Sequence, residues 1–283
     1  MRPILSKPCR NDRKIAGVPA TVFSVWRMSM LRLLSTDFDG TLIGHPSDGR
    51  CSDPFADILR SHRKSGGVWA VNTGRGLGHA IEGLSVFSAP FEPDFLLTNE
   101  REIFSRAEDG TWTSHAEWNE LCYERHDELF QAAGSVIEGI CDYAGRSPHV
   151  EIIEEGGRPI GLVTASEPVM EEVVSFIGRE SASFPDFSFQ RNTVYLRFCH
   201  IHYHKGSSLA ELCRMLGLDR SNVLAAGDHF NDLPMLDGRF AAFPCCPSNA
   251  IPEVKRTVLE SGGHVASLPA ADGIAEAWRV FHQ

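Results

Sequence analysis

The chain has 283 residues, 42% of them hydrophobic, eight cysteines and a formal net charge of -10 at pH 7. It exceeds the usual ~150-residue domain, so a core carrying an inserted second unit is expected. The acidic balance argues against nucleic acid or an anionic membrane as partner, and no stretch approaches the ~20 apolar residues that span a bilayer; a cytoplasmic location is expected.

Residues 1–30 read as a loosely ordered extension, carrying Arg2, Lys7, Arg10, Arg13, Lys14 and Arg27 against Asp12 alone. Its basic opening and apolar run resemble a secretory signal superficially. Pro19, Thr21 and Arg27 break that pattern, no small-x-small cleavage site follows, and Met28 or Met30 is an alternative start. The cysteines show no C-x-x-C spacing, so neither a zinc site nor a disulfide framework is indicated. They are expected to be reduced, with Cys245-Cys246 packed in a loop.

A strand is predicted from Leu31 to Thr36, then a helix opened by Ser52 or Asp53 and closed by Gly66-Gly67. The apolar run Val68 to Val71 suits a strand buried on both faces and delivers Asn72-Thr73-Gly74-Arg75 at its end. A helix to about Leu84, a strand Asp94 to Thr98 and a hairpin around Glu108-Asp109-Gly110 follow. From Ala116 the pattern changes to one long helix from Glu117 to Ile140, strands at Val150 to Glu154 and Arg158 to Thr164, a helix Pro168 to Glu180 and strands Phe187 to Gln190 and Thr193 to Phe198. Alternation then resumes with helix Ser207 to Leu216, strand Val223 to Ala226, helix Asp232 to Leu236, the short apolar Phe240 to Phe243, and helices Ile251 to Leu259 and Asp272 to Phe281. The expected fold is α/β, a Rossmann-like parallel-sheet core of residues 31–115 and 201–283 with an inserted α+β cap at 116–200.

Asp37 and Asp39 end the first strand, and Gly227-Asp228-His229-Phe230-Asn231-Asp232 ends a distant one. Carboxylate oxygens suit hard cations, so a parallel sheet that joins these clusters at its carboxyl edge makes a Mg²⁺ site and points to phosphate chemistry. Asp228 and Asp232, four apart at a strand-to-helix junction, can face one cation while Asn231 hydrogen-bonds the site. The Thr73 hydroxyl and the Gly74 backbone, at a helix N-terminus, suit phosphoryl oxygens. Residues 74–79 mimic a dinucleotide fingerprint, but His79 stands where its final glycine belongs, and the nucleotide reading is rejected. His200, His202 and His204 alternate and would share one face of an extended segment. A second metal is not expected there, because the segment leads directly into Lys205 and neutral imidazoles need no metal; His202 is a candidate substrate contact. Tyr195 and Arg197 alternate onto one strand face near Arg191 and Asn192, a candidate sugar-binding surface or a snorkelling sheet edge.

These residues resemble the haloacid dehalogenase superfamily of phosphatases, in its Cof-like subfamily IIB, which includes sucrose-phosphate phosphatase. Asp37-Phe38-Asp39-Gly40-Thr41-Leu42 matches the first family motif, Thr73-Gly74-Arg75 the second, Lys205-Gly206 the third and Gly227 to Asp232 the fourth. The segments Asn249 to Lys255 and Asp272-Gly273-Ile274 resemble the subfamily's closing segments, and Asn249 joins the specificity candidates. The resemblance implies that Asp37 attacks phosphorus to form an aspartyl phosphate, that Asp39 exchanges protons with the leaving alcohol and water, and that Lys205 orients Asp37 and neutralises the phosphoryl group. Mg²⁺ would be held by Asp37, the Asp39 carbonyl, Asp228 and Asp232. The implied reaction is hydrolysis of a small phosphorylated metabolite, a sugar or polyol phosphate. A phosphomutase and a catalytically silent sugar-phosphate-binding protein are the alternatives. Thr98-Asn99-Glu100-Arg101 departs from the Asn-Gly-Ala common in relatives and is expected to be a solvated turn, with a specificity feature as the alternative.

Overall fold

The computed structural model describes residues 31–44 and 49–282; the predicted extension at 1–30, with Cys9, lies outside the described residues. In chain order the core begins with strand Leu33–Thr36 (β1), helix Asp53–Lys64 (α1), strand Val68–Asn72 (β2), helix Leu77–Phe87 (α2) and strands Phe95–Thr98 (β3), Glu102–Arg106 (β4) and Trp112–Ser114 (β5). Helices Ala116–Ala132 (α3) and Gly134–Ala144 (α4) lead to strands Val150–Glu155 (β6) and Arg158–Thr164 (β7), helix Glu167–Glu180 (α5), and strands Phe187–Arg191 (β8) and Tyr195–His200 (β9). Helix Lys205–Leu216 (α6), strand Val223–Ala226 (β10), the single turn Leu233–Leu236 (α7), strand Phe243–Cys246 (β11), helix Pro252–Glu260 (α8), strand His264–Val265 (β12) and helix Ala270–Phe281 (α9) complete the chain.

The fold is the expected mixed α/β arrangement. One eight-stranded sheet runs β12-β11-β10-β1-β2-β3-β4-β5, parallel as far as β3 and closed by the antiparallel β4 and β5. From β1 the chain winds outward through β2 and β3, then returns to lay β10 on the other side of β1. The strand order therefore reverses between β1 and β10, where a crevice opens beyond the carboxyl ends of an α/β sheet. Both faces of β1 are covered. Leu34 packs with Phe38, Phe55, Trp69 and Ile274, and Leu33 packs on the opposite face with Leu209, Val223 and Val254. Each such side chain taken fully out of water contributes roughly 1.5–3 kcal/mol.

Strands β6-β7-β9-β8 form a second, antiparallel sheet. Its Leu162, Leu196 and Phe198 pack under α3 to α5 through Leu129, Ile137, Ile140 and Ile177. Alternation along β9 turns Tyr195 and Arg197 to the opposite face.

Three expectations need correction. The long polar helix is two helices: buried Ala133 leaves helical geometry (φ -93°, ψ 12°) just before Gly134. That break keeps Ile137 and Ile140 on the second sheet, to which Leu129 is also applied. The strand after α7 is Phe243–Cys246 rather than Phe240 to Phe243. Cys245 and Cys246 thus lie within a buried parallel strand, not a loop, each paired onto β12.

Candidate active site

Asp37 follows β1 directly, and its amide donates to the Ala226 carbonyl at the end of β10 (2.8 Å), so the two acidic motifs start from adjacent strand ends. The chain turns at Gly40 in left-handed backbone, φ 84°. A Cβ there would stand 2.2 Å from Asp228 Oδ2, so glycine is required both by the turn and by the approach of the fourth motif. Thr41 Oγ1 donates to Asp228 Oδ1 (2.8 Å). Asp232 Oδ2 accepts from the amides of Asp228 (2.8 Å) and His229 (2.9 Å), which holds the Gly227–Asp232 loop closed on itself. Ligand oxygens of Asp37, Asp228 and Asp232 lie within 4.8 Å of one another, and all three residues are buried.

Lys205 opens α6. His204 caps that helix, its Nδ1 accepting from the amides of Gly206 (3.1 Å) and Ser207 (3.2 Å), while Asn72 at the end of β2 donates to the Lys205 carbonyl (2.9 Å). The ammonium, 0% exposed, donates to Asp37 Oδ1 (2.5 Å) and Asp232 Oδ1 (2.6 Å). Burial opposes this charge, but Asp232 and Asp37 outweigh it and raise the lysine pKa above its ordinary value.

Negative charge remains in excess. Burial, reinforced by Asp232 and Asp228, pushes Asp37 well above the usual carboxylate range despite Lys205. Burial and then Asp232 lift Asp228 to about 7. Three buried carboxylates against one lysine leave uncompensated charge, which protonation or a cation must relieve. The donor set is all oxygen and so fits Mg²⁺.

Asp39, whose side chain is 56% exposed, takes a bidentate pair from Arg75, Nε to Oδ2 at 2.7 Å and Nη2 to Oδ1 at 2.6 Å. Its carboxylate is therefore held at the surface by Arg75 rather than within the buried cluster. Thr73 is buried, its Oγ1 accepting from the Arg75 amide (3.2 Å). Asn231 Nδ2 donates to Glu100 Oε1 (2.8 Å). Asn249 ties two backbone segments, donating to the Gly40 carbonyl (2.7 Å) and accepting from the Ala270 amide (2.8 Å). On β9, the Tyr195 hydroxyl accepts from Arg197 Nε (3.0 Å), and Arg197 Nη1 donates to Asn99 Oδ1 (2.6 Å). Two further contacts join the second sheet to the fourth motif: Arg191 stacks 4.0 Å from the centre of the Phe230 ring, and Thr193 Oγ1 lies 3.0 Å from His229 Nε2.

The three histidines do not converge. After His200 the chain turns instead of staying extended, because His204 is drawn into the α6 cap. His202 is exposed, its amide donating to His200 Nδ1 (3.2 Å). Glu100 also departs from expectation: it is buried against the site rather than solvated. Burial raises its pKa, with Lys205 and Asn231 opposing. Arg75 and Thr41 are the site's participants to which sequence reasoning gave no part; for Glu100, a specificity feature stood only as the alternative to a solvated turn, on the strength of its charge at a position usually small.

The family model of haloacid dehalogenase-like hydrolases matches residues 165–277. A protein of Streptococcus pyogenes serotype M6, named provisionally as a phosphatase (M6_Spy0533), is 24% identical over 247 residues, covering 80% of this chain and 90% of its own. The sucrose-phosphatase of Synechocystis sp. PCC6803, solved with sucrose and phosphate, has a TM-score of 0.65 at 20% identity over 90% of this chain and 98% of that one. The subclass IIB sugar phosphatase BT4131 has a TM-score of 0.57 at 16% identity over 88% and 98%. The structural likenesses carry the fold, and over residues 165–277 the sequence is similar to the haloacid dehalogenase-like hydrolases.

Proposed function

We propose that this chain is a phosphomonoester hydrolase that works through an aspartyl phosphate on a small phosphorylated metabolite, a sugar or polyol phosphate, with Mg²⁺ as its cation. The observation that carries the reading is the convergence of Asp37, Asp228 and Asp232 around a fully buried Lys205 where the strand order reverses. Bound by Asp37, the Asp39 carbonyl, Asp228 and Asp232, Mg²⁺ supplies positive charge that offsets repulsion between nucleophile and phosphoryl dianion.

Lys205 holds Asp37 Oδ1, which leaves the other oxygen to attack phosphorus. The new bond forms from that oxygen as the bond from phosphorus to the ester oxygen breaks, and the departing alkoxide takes a proton from Asp39. Water then attacks the phosphorus of the acyl phosphate, gives a proton to Asp39, and displaces the Asp37 carboxylate with release of phosphate. Asp39 must leave Arg75 to reach the ester oxygen, so Arg75 acts as its resting partner. The Thr73 hydroxyl and Gly74 amide bind phosphoryl oxygens, and Lys205 stabilises their charge. Residues 116–200 act as a cap that closes through β8 and β9 onto residues 229–230 and 99 and excludes water, with Tyr195, Arg197, His202 and Asn249 as the candidates for specificity.

Sugar specificity is supported by the likeness to sucrose-phosphatase and the sugar phosphatase BT4131. Among the described residues no helix is long and apolar enough to cross a membrane, and the seven described cysteines are unpaired, in keeping with a reducing cytoplasm. The test is Mg²⁺-dependent phosphate release from an aryl phosphate and from a panel of phosphorylated metabolites. Asp37→Asn is expected to lower kcat by on the order of 10³-fold or more, and Asp39→Asn by roughly 10²–10⁴-fold. Unchanged hydrolysis in either variant would refute its role, and a hexose phosphate isomerised without phosphate release would indicate a mutase.

A further inference from the structure

Glu100 lies in the site without a part in the reaction above. It and Asn99 adopt left-handed backbone, φ 66° and 49°, a conformation that is unfavourable for residues with side chains and persists where its surroundings enforce it. The residue is 7% exposed. Its Oε1 accepts from Asn231 and stands 3.3 Å from where a Cβ on Gly74 would lie, so the carboxyl group flanks the turn that receives the phosphoryl group. On the cap side Arg197 reaches the adjacent Asn99. Oε2 accepts no hydrogen bond among the described residues. That oxygen is not among the buried polar atoms left unpartnered, so it is open to a donor from a ligand, and next to a phosphoryl dianion that donor cannot be another anion.

We propose that Glu100 determines specificity: its free oxygen accepts a hydrogen bond from a hydroxyl on the alcohol portion of the substrate, selecting polyol and sugar phosphates over esters that lack the hydroxyl. The inference rests on the phosphohydrolase reading and deepens it. A site built to bind a substrate hydroxyl discriminates strongly against the analogue without it, here by on the order of 10- to 10²-fold for a bond to a charged acceptor.

The experiment compares kcat/KM for glycerol 3-phosphate and n-propyl phosphate in the parent, Glu100→Gln and Glu100→Asp proteins, at two Mg²⁺ concentrations. The parent is expected to prefer the glycerol ester at least tenfold. Glu100→Gln, which keeps an acceptor for Asn231 but offers the hydroxyl a neutral amide donor in place of a charged acceptor, should cut the ratio of the two esters several-fold, and Glu100→Asp should leave it intermediate. A parent without preference, or a preference undiminished in Glu100→Gln, would overturn the proposal. So would an equal loss on both esters that added Mg²⁺ restores, since Glu100 would then serve the cation. Release of phosphate from neither ester would overturn the proposal if the same protein hydrolyses the aryl phosphate, and would contradict the hydrolase reading itself if it does not.

Discussion

At the scale of single residues, the site sets charge against charge where water is excluded, and Lys205 is the clearest case. Its sequence context is one lysine before a glycine, and only the fold reveals that it is enclosed between Asp37 and Asp232. Glu100 shows the opposite limit. Its residue type suggested solvent, because nothing local signals that two successive left-handed residues will turn the side chain inward. Glycine at this position would adopt φ 66° freely, relieving a backbone cost of ~1–2 kcal/mol against ~1 kcal/mol for the lost Asn231 bond. Glu100→Gly is therefore expected to keep or raise the melting temperature, by up to roughly 2–4 °C, while eroding selectivity. A clear drop in melting temperature would show that Glu100 holds the fold. The acids of the first and fourth motifs were legible because strand ends and carboxylate spacing are local patterns. The pose of Asp39 was not legible, since its pair with Arg75 spans two motifs.

At the scale of elements, most strands and helices followed from hydrophobic period and punctuation. α1 is typical: Ser52 caps it, accepting from the Phe55 amide (3.4 Å), Pro54 opens it, basic residues end it, and Phe55, Ile58 and Leu59 face the core. The break between α3 and α4 was illegible because Ala133 is a good helix former, and only packing on the second sheet demands the bend. β12, two residues long, is too short to announce itself, and without it Cys245 and Cys246 had no visible partner. The second sheet meets the fourth motif through β8 and the residues just after it. Arg191 over Phe230 is a cation–π contact worth ~0.5–2 kcal/mol. If residues 116–200 close over the site as proposed, Arg191→Ala is expected to raise KM for a phosphorylated substrate roughly 2- to 30-fold. An unchanged KM would mean that the contact does not stabilise the substrate-bound form.

At the scale of the whole molecule, stability and cation binding are linked through protons. Burial lowers His62 to about 4, His126 to about 3 and His204 to about 4, whereas the unfolded chain takes those protons near pH 6.5. The stability they support is present above pH 6.5 and is lost on acidification toward pH 4. Asp37 and Asp228 act in the opposite sense, since burial raises both, Asp228 to about 7. The cation-free protein gains from their protonated forms most fully below the unfolded carboxylate pKa, and this gain fades as pH rises through 7. Cation binding requires ionised carboxylates, so the rise in melting temperature produced by Mg²⁺ is expected to be largest near pH 8 and to shrink steadily toward pH 5. A shift independent of pH would place the cation elsewhere. The most direct test of the whole account is mass spectrometry of peptides from the Asp39→Asn protein, acid-quenched during turnover of a substrate found in the metabolite screen. One added phosphoryl group is expected on the peptide containing Asp37, absent when Asp37 is also replaced by Asn; phosphate release by the parent protein with no such adduct, or an adduct on another residue, would rule out Asp37 as the nucleophile.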